Sequence, residues 1–290
     1  MDTKITEQIT ALKSALEIGQ KEITEIEGRL KTKFENLPSE AEQKELLKNE
    51  VIYFYLKNFW EHYEFLTKKI EIEDDLKNFQ FYIPTVRTLF ENYGELLYFL
   101  NQNEKGQLGL YIGNYLLHLS DHYHFIAVGN SEIKNEYDRI LTLVGSILST
   151  ESITFPTDIN SFSNNSLKKS GFAFPSFEQI FKESYFSSLS SETFPLWQKD
   201  EPSNFYDKYY RSHSNYSHRS FTNQTTSATK NEVFWIIQFM YLIGQLMFEL
   251  CDKKVFDNKF QSDRKQFTSN IAQAYPKLLK AWDEQRKQSV

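Results

Sequence analysis

The sequence predicts an all-α protein: a helical bundle extended by a long N-terminal helical hairpin and interrupted by an irregular Ser/Phe/Pro-rich insertion. Three observations carry that reading. Turn residues are scarce, with 10 Gly and 7 Pro in 290 residues, about half the roughly 12% of an average chain, which leaves few corners for a sandwich, barrel or propeller. Apolar residues recur at helical spacing over long stretches, and strand-like alternation never outlasts four residues. Large anchors are plentiful: 25 Phe, 17 Tyr and 4 Trp, within a chain that is 40% hydrophobic.

The elements follow in order. Ile5, Ile9, Leu12, Leu16, Ile23, Ile26 and Leu30 recur at heptad spacing, with Gly19 at the missed seam position. Sustained a/d spacing with Glu and Lys between reads as a coiled-coil-like helix, paired either with the next helix of the chain or across a dimer. Leu37-Pro38-Ser39 is a turn, and Ser39 with Glu42 has the spacing of a capping box. A second long helix is expected over 40–72, turning Val51, Phe54, Tyr55, Phe59, Tyr63 and Leu66 inward. Residues 1–72 thus form the hairpin. Residues 75–102 are helical with either a kink at Pro84 or a start near it. Helices over 107–126 and 132–150 complete a first half of the bundle at 73–150.

From 151 to 205 Ser, Asn, Phe and Pro dominate, with four of the seven prolines. Regular structure there is sparse apart from a short helix over 176–188, and Phe155, Phe162, Phe172, Phe174 and Phe177 are expected to pin the insertion to the helical body. Helices resume over 203–220, 229–252 and 260–288, the last with Ile271, Tyr275, Leu278, Leu279 and Trp282 on one face, so that 206–290 supplies the second half. The run Val233–Phe248 holds no charge, but Gln238, Gln245 and Glu249 mark it as a buried core helix rather than a membrane span.

Composition bounds the function classes. A single Cys excludes a disulfide framework and a zinc ribbon and fits a reducing cytoplasm. A net charge of −6 gives no global attraction for nucleic acid, so any RNA site must be a local patch. There is no Gly-rich phosphate loop, no nucleophile elbow and no dinucleotide fingerprint. His118 and His122 have the i, i+4 spacing of two zinc ligands, with Asp121 and His124 nearby. A third ligand would have to come from a distant segment, and hydrogen-bonded helix histidines are the commoner reading, so no metal is expected. Cys251 closes an apolar helix and reads as inert core.

One segment could carry chemistry. Residues 209–220 read YYRSHSNYSHRS, where apolar periodicity lapses inside a predicted helix. Arg211 and His218 are seven apart, close to two helical turns, with Ser214 and Asn215 between them on the same face and Arg219 at its edge. An imidazole can move a proton near neutral pH, and a guanidinium can hold phosphate oxygens and stabilise charge growing on them.

Here the chain resembles the HEPN (higher eukaryotes and prokaryotes nucleotide-binding) superfamily of α-helical bundles. Its ribonuclease members carry an Arg, four to six residues, then a His, and this chain has Arg211, six residues and His218. A second likeness lies in residues 83–100, IPTVRTLFENYGELLYFL. They resemble the Arg-x-x-x-Glu helix of bacterial abortive-infection-type proteins, which is followed later by a Tyr-x-x-x-Ser-x-x-x-His helix. Arg87 and Glu91 match the first element, and Tyr210, Ser214 and His218 the second. The resemblance covers about residues 80–250 and implies a metal-independent endoribonuclease or toxin, in antiphage defence, that pairs two such helices across a homodimer. It implies His218 as general acid or base, Arg211 as stabiliser of the phosphorane, and Ser214 and Asn215 as backbone positioners, with no cofactor. Two other readings stay open. The stripe could be structural, with Arg211 paired to Glu91 and His218 hydrogen-bonded across helices. The protein could also be a non-catalytic helical module that binds a protein or nucleotide through its N-terminal hairpin and insertion.

Overall fold

The computed structural model describes residues 3–31, 39–72, 82–182 and 230–288, and among these its regular structure is all helical, with no strand. The α-helices are α1 (Thr3–Leu30), α2 (Glu40–Ile72), α3 (Ile83–Asn101), α4 (Glu104–Asp121), α5 (Ser131–Leu143), α6 (Gly145–Thr150), α7 (Asn164–Ser170), α8 (Phe177–Lys182), α9 (Lys230–Lys254) and α10 (Gln261–Gln288). A π-helical turn, His122–Ile126, prolongs α4, and a 3-10 turn spans Ile159–Ser161.

Local chemistry sets the starts and stops. At the head of α2, Ser39 N donates to Glu42 Oε2 at 2.6 Å while Glu42 N donates back to Ser39 Oγ at 3.3 Å, a reciprocal capping box. Helix α3 starts at Ile83, with Pro84 in its first turn, where a missing N–H costs nothing. Asn103, Asn130 and Ser163 cap α4, α5 and α7 through side-chain oxygens. Gly171, at φ 80, ends α7 in the left-handed conformation. The helix expected over 132–150 is broken at Val144 (φ −94, ψ 2), where the backbone leaves helical geometry.

Helices α1 and α2 run antiparallel. Lys13 pairs with Glu71 at 2.6 Å, Gly19 lies against Trp60, and the Tyr53 hydroxyl donates to Glu27 at 3.0 Å. The heptad positions Ile9, Leu12, Ile23 and Ile26 are buried, so this seam is used within the chain. One inward assignment is corrected: Val51, Tyr55, Phe59, Tyr63 and Leu66 are buried, but Phe54 is 61% exposed. The buried positions of α2 cover about half its circumference, and at about 100° per residue Phe54 falls on the opposite half.

The chain divides into two compact units, residues 1–25, 54–97 and 176–290, and residues 26–53 and 98–175. In the first, α9 is the core helix, buried almost without a break from Ile236 to Asp252. Trp60 stacks on Phe248 with ring centroids 4.8 Å apart, and the Tyr63 hydroxyl donates to the Met240 carbonyl at 3.1 Å. The glutamines that interrupt the apolar run have partners on α10: Gln238 donates to the Tyr275 hydroxyl at 2.6 Å, and Thr268 donates to Gln245 at 3.1 Å. Such bonds offset the cost of burying an amide. No helix among the described residues is long and apolar enough to cross a membrane.

In the second unit, α4, α5 and α6 enclose a core completed by Ile153, Phe155, Ile159, Phe162 and Leu167. The segment after α6 therefore packs as core although little of it is helical. Tyr137 donates to the Pro156 carbonyl at 2.7 Å, and the Ser120 hydroxyl lies within 3.0 Å of the carbonyls of Ile159 and Phe162. Gly109 and Gly113 let this segment close on α4: a Cβ there would stand 2.2 Å from the Phe172 ring and 2.4 Å from Leu167.

Candidate functional site

Of the residues singled out by sequence, Arg87 and Glu91 are described, and Tyr210, Arg211, Ser214, Asn215, His218 and Arg219 lie outside the described residues. Helix α3 buries Val86, Leu89, Phe90, Tyr93, Leu96 and Leu97. On its remaining face Arg87 Nε donates to Glu91 Oε1 at 2.6 Å, with the side chains 35% and 28% exposed. An ion pair so placed is partly shielded from water yet open on one side.

Glu95, the next step of four along α3, extends that stripe, and α2 answers it. The Tyr55 hydroxyl donates to Glu95 Oε2 at 2.8 Å, and Asn58 Nδ2 donates to Asn92 Oδ1 at 3.0 Å. These two pairs set an antiparallel register between α2 and α3. His62 Nδ1 lies 2.7 Å from the carbonyl oxygen of Asn58. A carbonyl can only accept, so Nδ1 carries a proton. The result is a polar seam between two apolar helices.

Its electrostatics are uneven. Burial pushes the Glu95 carboxyl above its ordinary value, the Tyr55 hydrogen bond opposes that, and the charge of Glu91 adds to it. Burial, then the carboxylate of Glu95, pushes the Tyr55 phenol far up, so it remains a donor. The seam thus offers a guanidinium, a carboxylate and a carboxyl that holds its proton more readily than usual. Together these can bind an oxyanion and exchange a proton with it.

Sequence reasoning found Arg87 and Glu91 and missed Tyr55, Asn58, Asn92 and Glu95. The signal available was the i, i+4, i+8 series Arg87, Glu91, Glu95 and an Asn inside an apolar helix.

Two further clusters lie apart from this seam. The His118 and His122 rings are 6.2 Å apart, and among the described residues no three His, Cys, Asp or Glu side chains are grouped so as to hold a metal ion. In the first unit, Glu22, Glu249 and Asp252 are buried near Arg264, whose guanidinium lies 3.9 Å from Glu249 and 3.7 Å from Asp252. Cys251 is fully buried beside Met247, and burial pushes its thiol up, away from nucleophilic use. Comparison with family models, with curated proteins and with solved structures finds no match to this chain.

Proposed function

We propose that the protein is a HEPN-like, metal-independent endoribonuclease of the toxin type, acting as a homodimer on RNA held by a local patch. The single observation that supports this is the half-buried Arg87, Glu91, Glu95 stripe on an otherwise apolar helix, answered by Tyr55 and Asn58. In this reading the 2′-hydroxyl attacks the adjacent phosphorus, its proton leaves to a base, and the 5′-oxygen departs with a proton from an acid. His218 moves the proton, Arg211 holds the phosphorane oxygens, Ser214 and Asn215 position the backbone, and Tyr210 and Arg219 flank them. Arg87 and Glu91 orient His218 in this reading.

The test is cleavage of single-stranded RNA by purified protein, with and without chelator, followed by analysis of the 3′ ends. Wild type is expected to leave cyclic phosphate ends regardless of chelator. His218→Ala should cost about 10²–10⁴ in rate and Arg211→Ala on the order of 10² or more, with thermal stability retained. No cleavage by wild type, with both variants unfolding, sinks the nuclease reading and makes the stripe structural.

The second reading is a non-catalytic helical binding module. What favours it is the exposure of Phe125, Ile126 and Val128 (80%, 75% and 79%) at the turn between α4 and α5. In that case a partner protein, rather than RNA, would protect this turn from hydrogen exchange.

A further inference from the structure

His118 and His122 have no part in the proposed function, and the structure sets them up as a pair. They stand one turn apart at the C-terminal end of α4. His122 N donates to the His118 carbonyl, and His122 has α-helical angles (φ −61, ψ −44). The turn that joins them is therefore α-helical, although a π turn begins at His122. At i, i+4 on an α-helix two side chains leave from one face, one above the other. Leu116, Leu119 and Ser120 are buried toward the core, while His118 is exposed and His122 half-buried. The two rings are 6.2 Å apart between centroids and inclined by 47°.

Histidines on a helix are commonly held by hydrogen bonds, and that reading does not hold for these two. Neither imidazole makes a hydrogen bond or an ion pair among the described residues. Each ring, when neutral, keeps the lone pair of one nitrogen uncommitted. His124, by contrast, packs its ring against Tyr123 and Phe125, with centroids 5.3 and 6.3 Å away. Two imidazoles on one tetrahedral ion place their ring centres about 5 Å apart at the usual Zn–N length of about 2.0–2.1 Å. The rings of His118 and His122 stand about 1 Å wider than that. A small rotation of side chains on the outward face closes the difference.

We infer that His118 and His122 chelate one late first-row divalent metal ion, with zinc as the reference case, across the last turn of α4. Imidazole donors suit zinc, copper and nickel, whereas magnesium and calcium take oxygen donors. Two protein ligands are fewer than the three or four of a catalytic or structural zinc site. That agrees with the absence, among the described residues, of any group of three possible ligands. Water completes the coordination, so the ion exchanges with solvent and occupancy follows the free metal concentration. Because both donors come from one turn, the bound ion bridges that turn and holds α4 helical up to the start of the π turn. The inference stands apart from the nuclease reading, which uses other residues and no metal.

The experiment is a titration of the full chain followed by ¹H–¹³C NMR at the imidazole Cε1–H groups, with zinc chloride as the probe and magnesium chloride as the control. Zinc should shift the His118 and His122 signals together and saturate them below about 1 mM, and magnesium should move neither. His118→Ala and His122→Ala should each weaken zinc binding at the remaining imidazole by about tenfold or more, because the second donor no longer binds within the same molecule. His124→Ala should bind like wild type. Both pair variants change outward-facing side chains and should keep the other imidazole signals in place; should one unfold, the wild-type titration and the other variant decide. The inference is overturned if zinc at about 1 mM moves neither signal, if magnesium moves them equally, if the pair variants bind like wild type, or if His124→Ala weakens binding as much as they do.

Discussion

Glu22 is completely buried on α1, and its Oε2 accepts from Trp60 Nε1 at 3.3 Å. Its other oxygen has no hydrogen-bond partner among the described residues. Burial raises the carboxyl well above its ordinary value near 4.5, the Trp60 hydrogen bond opposes that, and Asp252 adds to it. The folded state therefore holds a proton that the unfolded chain gives up. Stability from this group is complete below the ordinary carboxylate value and is lost as pH rises toward the raised folded value. Glu22→Gln keeps the acceptor for Trp60 and removes the titration, so it should stabilise the protein at pH 8 by about 1–3 kcal/mol and change little at pH 4. Thermal melts of both proteins across that range check this: curves that stay parallel mean that Glu22 is not the group. The same scale shows what a sequence conceals. Arg87 and Glu91 were legible because an i, i+4 pair of opposite charge is visible along the chain. Tyr55 and Asn58 were not, because their meeting with Glu95 and Asn92 depends on the register of two helices. That register is set by packing and leaves no local mark.

At the scale of the element, the two glycines of α1 answer differently to the same change. A Cβ at Gly19 would sit 2.3 Å from Trp60 Cδ2, whereas none of the surroundings of Gly28 comes within 4 Å. Gly28→Ala gains helix propensity at no steric cost and should stabilise by about 1 kcal/mol. Gly19→Ala gains the same propensity but must displace a buried indole that stacks on Phe248, so the net should be a loss of about 1–3 kcal/mol. Urea denaturation of the two variants checks the pair, and equal shifts would remove the close contact of α1 with Trp60. The vacant seam position was readable in the heptad pattern; the indole that fills it was not. Helix starts were legible where they rest on local chemistry, as with the Ser39 and Glu42 box and Pro84. The break at Val144 and the change to a π turn after Asp121 were not legible, although the helical segments end at Ile126 and Thr150 as the periodicity predicts. Phe54 is the converse case: an apolar residue among apolar neighbours reads as inward, but its angle on the helix turns it to solvent.

At the scale of the whole molecule, the fold class was legible because scarcity of turn residues and long helical periods are properties of the entire chain. The function was not, because its proposed residues are a few polar side chains whose role depends on what they face. One surface feature separates the two functional readings. Phe125, Ile126 and Val128 are the most exposed large apolar side chains among the described residues, and they lie together on the π turn and the turn that follows it. Three side chains fall short of the roughly 800 Å² per partner that a stable protein interface buries. They suit the anchor of a larger contact rather than a complete interface. Replacing all three by Ser removes apolar surface that the folded chain does not use. Stability should stay within about 0.5 kcal/mol of wild type, as for other surface changes away from packed features. Resistance to salt-induced aggregation should rise, because the exposed apolar area falls. The same variant read in the RNA assay then divides the readings: unchanged cleavage leaves the turn outside a nuclease site, while loss of partner binding with no cleavage in either protein supports the binding module. A melting temperature several degrees below wild type would instead mean that the turn is covered in the folded protein, and the exposure on which the second reading rests would be withdrawn.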